Sequence, residues 1–182
     1  MRIEETFAVP APVEQVWEFI ADPQKMAACL PSVQSVVIVD ERHYEAVVKQ
    51  KVGFISATFK IETEVLEKEA PLRMVLSNRG KTIAGAKGTL KSTDTITLKA
   101  ASEEATEVHV VSELTLGGQL AVLGAKLIEA KSKEIFAEAT SNLKSKLGVA
   151  PNPEPVAAEK RGAMTRLKSL FQNQKSHGTE TV

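Results

Sequence analysis

Apolar and polar residues alternate with a period of two through most of the chain between Ile3 and Leu116, and then switch to a spacing of three and four. Ile3, Phe7 and Val9 outline a first strand over Arg2 to Val9, ended by Pro10-Ala11-Pro12. Proline in a first helical turn costs no hydrogen bond, so a helix is predicted over Pro12 to Ile20, with Val13, Val16, Trp17 and Ile20 on one stripe. Asp22-Pro23 breaks it, a shorter helix follows from about Gln24 to Cys29, and Leu30-Pro31-Ser32 turns the chain toward a sheet.

Six further strands are predicted. Ser35 to Val39 and Tyr44 to Val52 are joined at Asp40-Glu41-Arg42, with Tyr44, Ala46, Val48, Gln50 and Val52 on one face. Gly53 permits a bend, after which Ile55, Ala57, Phe59, Ile61 and Val65 alternate with Ser56, Thr58, Lys60, Glu62 and Glu64. Leu72, Met74 and Leu76 mark the next strand, a glycine-rich break is predicted at Gly80, Gly85 and Gly88, and Leu90, Ser92, Ile96 and Leu98 follow. Val108, Val110, Leu114 and Leu116 make the last. A long amphipathic helix then runs from Gly117 to Leu147, about 45 Å at the helical rise, until Gly148 and Pro151 stop it. Leu120, Leu123, Leu127, Ile128, Ile135, Ala139, Leu143 and Leu147 lie on its inward arc.

Consecutive strands without helical crossovers give an α+β meander: a curved antiparallel sheet wrapped around one long C-terminal helix, an arrangement that leaves an apolar cavity. Gly124, Ser132 and Ala139 on the inward arc either leave room for a ligand or allow close packing. Lys49, Lys51, Lys60, Glu62, Glu64, Lys91 and Lys99 read as the solvated face.

With 182 residues and 43% hydrophobic content, one domain with a full core is expected. Lys and Arg total 23 and Asp and Glu total 23, so no global field favours nucleic acid. A single cysteine, Cys29, excludes an internal disulfide and any cysteine-rich metal site, and reads as a small buried side chain. Met1 to Glu5 lack a signal-peptide core and no run of about 18 apolar residues occurs, which makes a cytoplasmic, non-spanning protein the expectation.

Reactive chemistry is sparse. His43, His109 and His177 are scattered, and no metal cluster is legible. Gly80-Lys81-Thr82 resembles the end of a phosphate-binding loop, but Val75 stands where that motif needs glycine. Asp94, Asp22 and Glu5 read as isolated carboxylates in turn, cap or surface roles. A hydrolase or cyclase would need a polar constellation inside the cavity, and the sequence suggests none, so no enzyme and no catalytic residue is expected.

The domain is predicted over 1–148. A proline-rich linker, 149–157, contains Pro151, Pro153 and Pro155. A basic amphipathic helix is predicted over 158–175, with Met164, Leu167, Leu170 and Phe171 on one stripe beside Lys160, Arg161, Arg166 and Lys168. Apolar side chains among cations suit an anionic membrane surface; docking on a protein, packing on its own domain and disorder are the alternatives. Residues 176–182 show no pattern.

Several segments together carry a resemblance: Phe7-Ala8-Val9-Pro10-Ala11-Pro12, Val16-Trp17, Ala21-Asp22-Pro23, Cys29-Leu30-Pro31, Lys51-Val52-Gly53 with Ala57 and Phe59, and Leu120-Ala121-Val122-Leu123-Gly124. Over about residues 1 to 148 the chain resembles the carbon monoxide dehydrogenase G-subunit family, within the START-like (SRPBCC) superfamily. Ser32 and Phe54 depart from the family's usual glycine and proline. The resemblance implies a helix-grip fold and an accessory role beside a molybdenum hydroxylase such as carbon monoxide dehydrogenase. It also implies a place on the inner face of the cell membrane and traffic with the quinone pool. The expected ligand is a hydrophobic small molecule, a quinone (menaquinone or ubiquinone), with no covalent cofactor and no metal. Expected binding residues are Trp17, Tyr44, Val48, Phe59, Met74 and Leu114, together with Leu116, Leu123, Leu127, Ile128 and Ile135, with Gln50 or Ser132 supplying polar contacts. The alternative is a membrane-recruitment or assembly factor with no bound ligand.

Overall fold

The computed structural model describes residues 1–30 and 32–147. The linker and the basic helix expected beyond residue 148 lie outside the described residues, as does the membrane role assigned to Lys160 through Phe171.

Strand β1 (Arg2–Val9) leads into α1 (Val13–Ile20) and α2 (Pro23–Ala27), and the chain then runs through six strands. These are β2 (Val33–Ile38), β3 (His43–Val52), β4 (Ile55–Glu69), β5 (Arg73–Gly85), β6 (Gly88–Ser102) and β7 (Ala105–Gly118). A short 3-10 turn (Gln119–Val122) precedes the long helix α3 (Ala125–Lys146). The seven strands form one antiparallel sheet in the order β1-β7-β6-β5-β4-β3-β2. The meander is therefore real for β2 to β7, and β1 pairs beside β7 at its edge, with Arg2 opposite Glu113 and Val9 opposite Thr106.

Two expectations are corrected. The final helix does not begin at Gly117: β7 continues to Gly118, which pairs with Gly88, and φ of +67° at Gly118 lets the chain leave the sheet into the 3-10 turn. Leu120 and Leu123 fit helical spacing by accident and pack instead in a small cluster with Ala57 and Phe59. Gly80 is no break either, since it lies within β5 between Ile61 and Leu90 on the neighbouring strands. The close approach explains the glycine, because a Cβ there would meet Ile61 at 3.3 Å and Leu90 at 3.4 Å.

The main core lies where α1 packs on the sheet: Val16, Trp17 and Ile20 bury against Val9, Leu98 and Val108. Buried apolar side chains of this size each contribute about 1.5 to 3 kcal/mol. Two polar ties close this end. Thr106 Oγ1 donates to the Ala11 carbonyl at 2.8 Å, and Asn142 on α3 donates from Nδ2 to the Cys29 carbonyl at 3.0 Å. Cys29 is buried as expected. Asp22 caps α2, its carboxylate accepting from the backbone N–H groups of Gln24 and Lys25. The seven charged residues assigned to the solvated face are all exposed.

Candidate functional site

Between the inner face of the sheet, α2 and α3 lies a cavity of about 1000 Å³. Strand alternation turns Val48, Ile61, Val65, Met74, Leu76, Ile96 and Val110 into it, and α3 contributes Ile135, Phe136, Ala139 and Leu143. Ala46 and Ala139 stand on opposing walls where larger side chains would fill the space. Exposed Asp40, Glu41, Arg42 and Lys68 form the rim. There the Asp40 carboxylate is held below its usual pKa by the Arg42 backbone N–H and by His43, whose Nδ1 lies 2.9 Å away.

A belt of polar side chains crosses this apolar wall. The register sets Tyr44 opposite Thr63, Thr63 opposite Asn78, Asn78 opposite Ser92, and Asp94 opposite Ser112, all on the inner face. Thr63 Oγ1 donates to Asn78 Oδ1 at 2.7 Å, and Asn78 Nδ2 donates to Ser92 Oγ at 3.1 Å and Asp94 Oδ2 at 2.7 Å. Ser92 Oγ donates to the same Asp94 oxygen at 3.3 Å. Burial pushes the Asp94 carboxyl above its ordinary value, against the opposing pull of hydrogen bonds from Ser112, Ser92 and Asn78. Burial likewise pushes the Tyr44 hydroxyl up to about 12, so it stays a neutral donor. The belt divides the apolar face in two, with Val65, Met74 and Leu76 on one side and Ile61, Gly80 and Leu90 on the other.

Of the expected binding residues, the fold brings Tyr44, Val48, Met74 and Ile135 together on the cavity wall. Trp17 packs in the main core instead, and Phe59, Leu116 and Leu123 belong to the small cluster around Leu120. Ile128 is buried on α3 away from the lining, and Leu114 borders a separate surface groove beside Arg2 and Lys91. Leu127 is 38% exposed beside Gly53. Gln50 and Ser132 do not line the cavity.

The expectation that the interior holds no polar constellation is overturned by the belt. Asp94 is neither isolated nor in a turn. Its phase was available, since Leu90, Ser92, Ile96 and Leu98 all face inward and Asp94 shares their parity. Among the described residues, no group of three His, Cys, Asp or Glu side chains is placed to hold a metal, and no helix is long and apolar enough to cross a membrane.

Solved structures share this architecture. A conserved protein from Geobacillus kaustophilus is 18% identical with a TM-score of 0.75, covering 81% of this chain and 95% of its own. A START superfamily protein from Mycobacterium smegmatis is 12% identical with a TM-score of 0.62 over 81% and 97%. The Zhui aromatase/cyclase from Streptomyces sp. R1128 is 16% identical with a TM-score of 0.58 over 81% and 93%. These likenesses identify a START-like helix-grip fold. No curated protein matches the chain at a significant level. The family model for CoxG, the G subunit of carbon monoxide dehydrogenase, matches residues 6–148, and the chain belongs to that family.

Proposed function

We propose that this protein is a non-enzymatic carrier that holds one hydrophobic molecule, an isoprenoid quinone, and links carbon monoxide dehydrogenase to the membrane and its quinone pool. The observation that carries this reading is the cavity of about 1000 Å³, apolar on both walls and crossed by one belt of hydrogen-bonding groups. A quinone has the same two parts, an apolar body and carbonyl oxygens. Family membership supports the partner enzyme. The cavity weighs against the alternative of a recruitment factor with a filled interior. Acid–base chemistry on the bound molecule is a second reading, favoured by Asp94 on the cavity wall.

One end of the domain supports membrane contact. The β3–β4 turn, the end of β5 and the 3-10 turn expose Phe54 (90%), Ile83 (60%) and Val122 (78%). Segments 49–58, 79–91 and 115–128, which form this end, carry seven Lys or Arg residues and no acidic residue. Each cation near an anionic bilayer contributes about 1 kcal/mol, and apolar side chains can enter the headgroup boundary.

Native mass spectrometry of protein purified from its source membranes, followed by solvent extraction, tests the carrier. A stoichiometric isoprenoid quinone supports it; a clean apo mass that stays apo after incubation with quinone supports the recruitment factor.

A further inference from the structure

Polar side chains facing an apolar interior cost free energy unless a partner satisfies them, and in this belt across five strands Thr63, Asn78, Ser92 and Asp94 satisfy one another, which fixes a polar line on the cavity face. The donors in the belt run in one direction. Thr63 gives its proton to Asn78 Oδ1, which fixes the amide so that Nδ2 faces Ser92 and Asp94. Asn78 Nδ2 and Ser92 Oγ both fall on Asp94 Oδ2, and the Ser112 hydroxyl, opposite Asp94 in the register, is a third polar neighbour of the carboxyl. Asp94 lines the cavity, and because Oδ2 already accepts from two donors, a proton taken up by this carboxyl would sit on Oδ1. In that form the group is an oriented donor.

We propose that this belt is a head-recognition site, in which the Asp94 carboxyl donates a hydrogen bond to a carbonyl oxygen of the bound molecule and Asn78 acts as the positioning residue. The inference rests on the carrier reading and adds to it the chemistry the cavity selects: an apolar body bearing a ketone or quinone oxygen, in preference to a plain hydrocarbon of the same shape. Tyr44, beside Thr63 at the rim side of the belt, supplies a second neutral hydroxyl. The apolar body lies along Met74, Ile96 and Ile135.

The test compares two probes on the full chain, 2-methyl-3-geranyl-1,4-naphthoquinone and 2-methyl-3-geranylnaphthalene, which share an apolar skeleton and differ in the carbonyl oxygens. Wild type is expected to bind the quinone about tenfold more tightly, the effect of one well-placed buried hydrogen bond. Asp94→Leu and Asn78→Leu should each bring that ratio to within about threefold, whereas Asp94→Asn, whose amide can donate from the same place, should keep it. The ratio is internal to each variant, so partial loss of stability does not obscure it, and the wild-type comparison alone is decisive if a variant fails to fold. Equal binding of the two probes by wild type overturns the head site and leaves the carrier standing. A preference that survives in both leucine variants overturns its placement on Asp94 and Asn78. Failure of both probes to bind overturns the carrier reading, and this inference with it.

Discussion

Asn78 on β5 and Asp94 on β6 meet at 2.7 Å on the inner face of the sheet, two residues out of register with each other, because Asn78 pairs directly with Ser92. This diagonal contact places a carboxyl on the cavity wall with an amide donor fixed against it. A carboxylate there would be largely cut off from water and has no cation among its hydrogen-bond partners, which is why burial dominates its titration.

Stability should therefore carry the sign of a raised carboxyl. The Asp94 pKa in the folded state lies above the ordinary 3.8, so the folded chain holds this proton more tightly than the unfolded chain. Its contribution is full below the unfolded value and is lost as pH rises through the folded one. Tyr44, nearby on the same face, stays neutral throughout, while Glu5 faces inward from β1 and the charges of Arg42 and Lys68 stand at the rim. Asp94→Asn should be equal to or about 1 kcal/mol more stable than wild type near pH 7, and the difference should vanish or reverse near pH 4. Urea midpoints across that range would check it.

Filling the cavity should abolish ligand capture without unfolding the domain. Ala139→Phe projects a ring from α3 into the space facing the sheet. Leu127→Phe, on the same helix but exposed beside Gly53, should leave capture unchanged. Binding isotherms of the two variants, with thermal melts as controls, make the comparison.

Two glycines should behave oppositely. Gly85 has φ of +80°, and a Cβ there would collide with the Ser56 carbonyl oxygen, so Gly85→Ala should cost about 1 to 3 kcal/mol. A Cβ at Gly124 would meet nothing within 4 Å, and Gly124→Ala should change stability by about 0.5 kcal/mol or less. Chemical denaturation distinguishes the two.

The exposed tip should contribute to membrane attachment. Phe54→Glu replaces an exposed aromatic ring at the proposed membrane contact with a negative charge and should lower co-sedimentation with phosphatidylglycerol-containing vesicles several-fold. Attachment should also weaken as salt is raised, through screening of Lys51, Lys87 and Lys126. Unchanged co-sedimentation of the variant would exclude the tip from membrane attachment.

The sequence was a good guide where structure follows from spacing within one segment. The stripe of Val13, Val16, Trp17 and Ile20 gave α1, and alternation broken only at single positions such as Gln50 and Thr63 gave β3 and β4 with their faces correctly assigned. It misled where two signals overlap: Leu120 and Leu123 have helical spacing, yet backbone pairing holds Gly117 and Gly118 in β7. The cavity lining was only partly legible, because the large side chains Trp17 and Phe59 pack most tightly and so close off their own surroundings. The polar belt was invisible for a different reason. Thr63, Asn78 and Ser92 are each one inward polar residue in a strand, and only cross-strand register brings them into a line.

A carrier must be able to draw a quinone out of a bilayer into water. Vesicles loaded with isoprenoid quinone would be incubated with protein lacking residues 149–182, which keeps the CoxG domain and removes the segment expected to bind membrane. After the vesicles are sedimented, the quinone in the supernatant would be counted against protein. One quinone per chain is the expected result, falling to background in Ala139→Phe. Background quinone with folded protein in the supernatant would contradict the carrier.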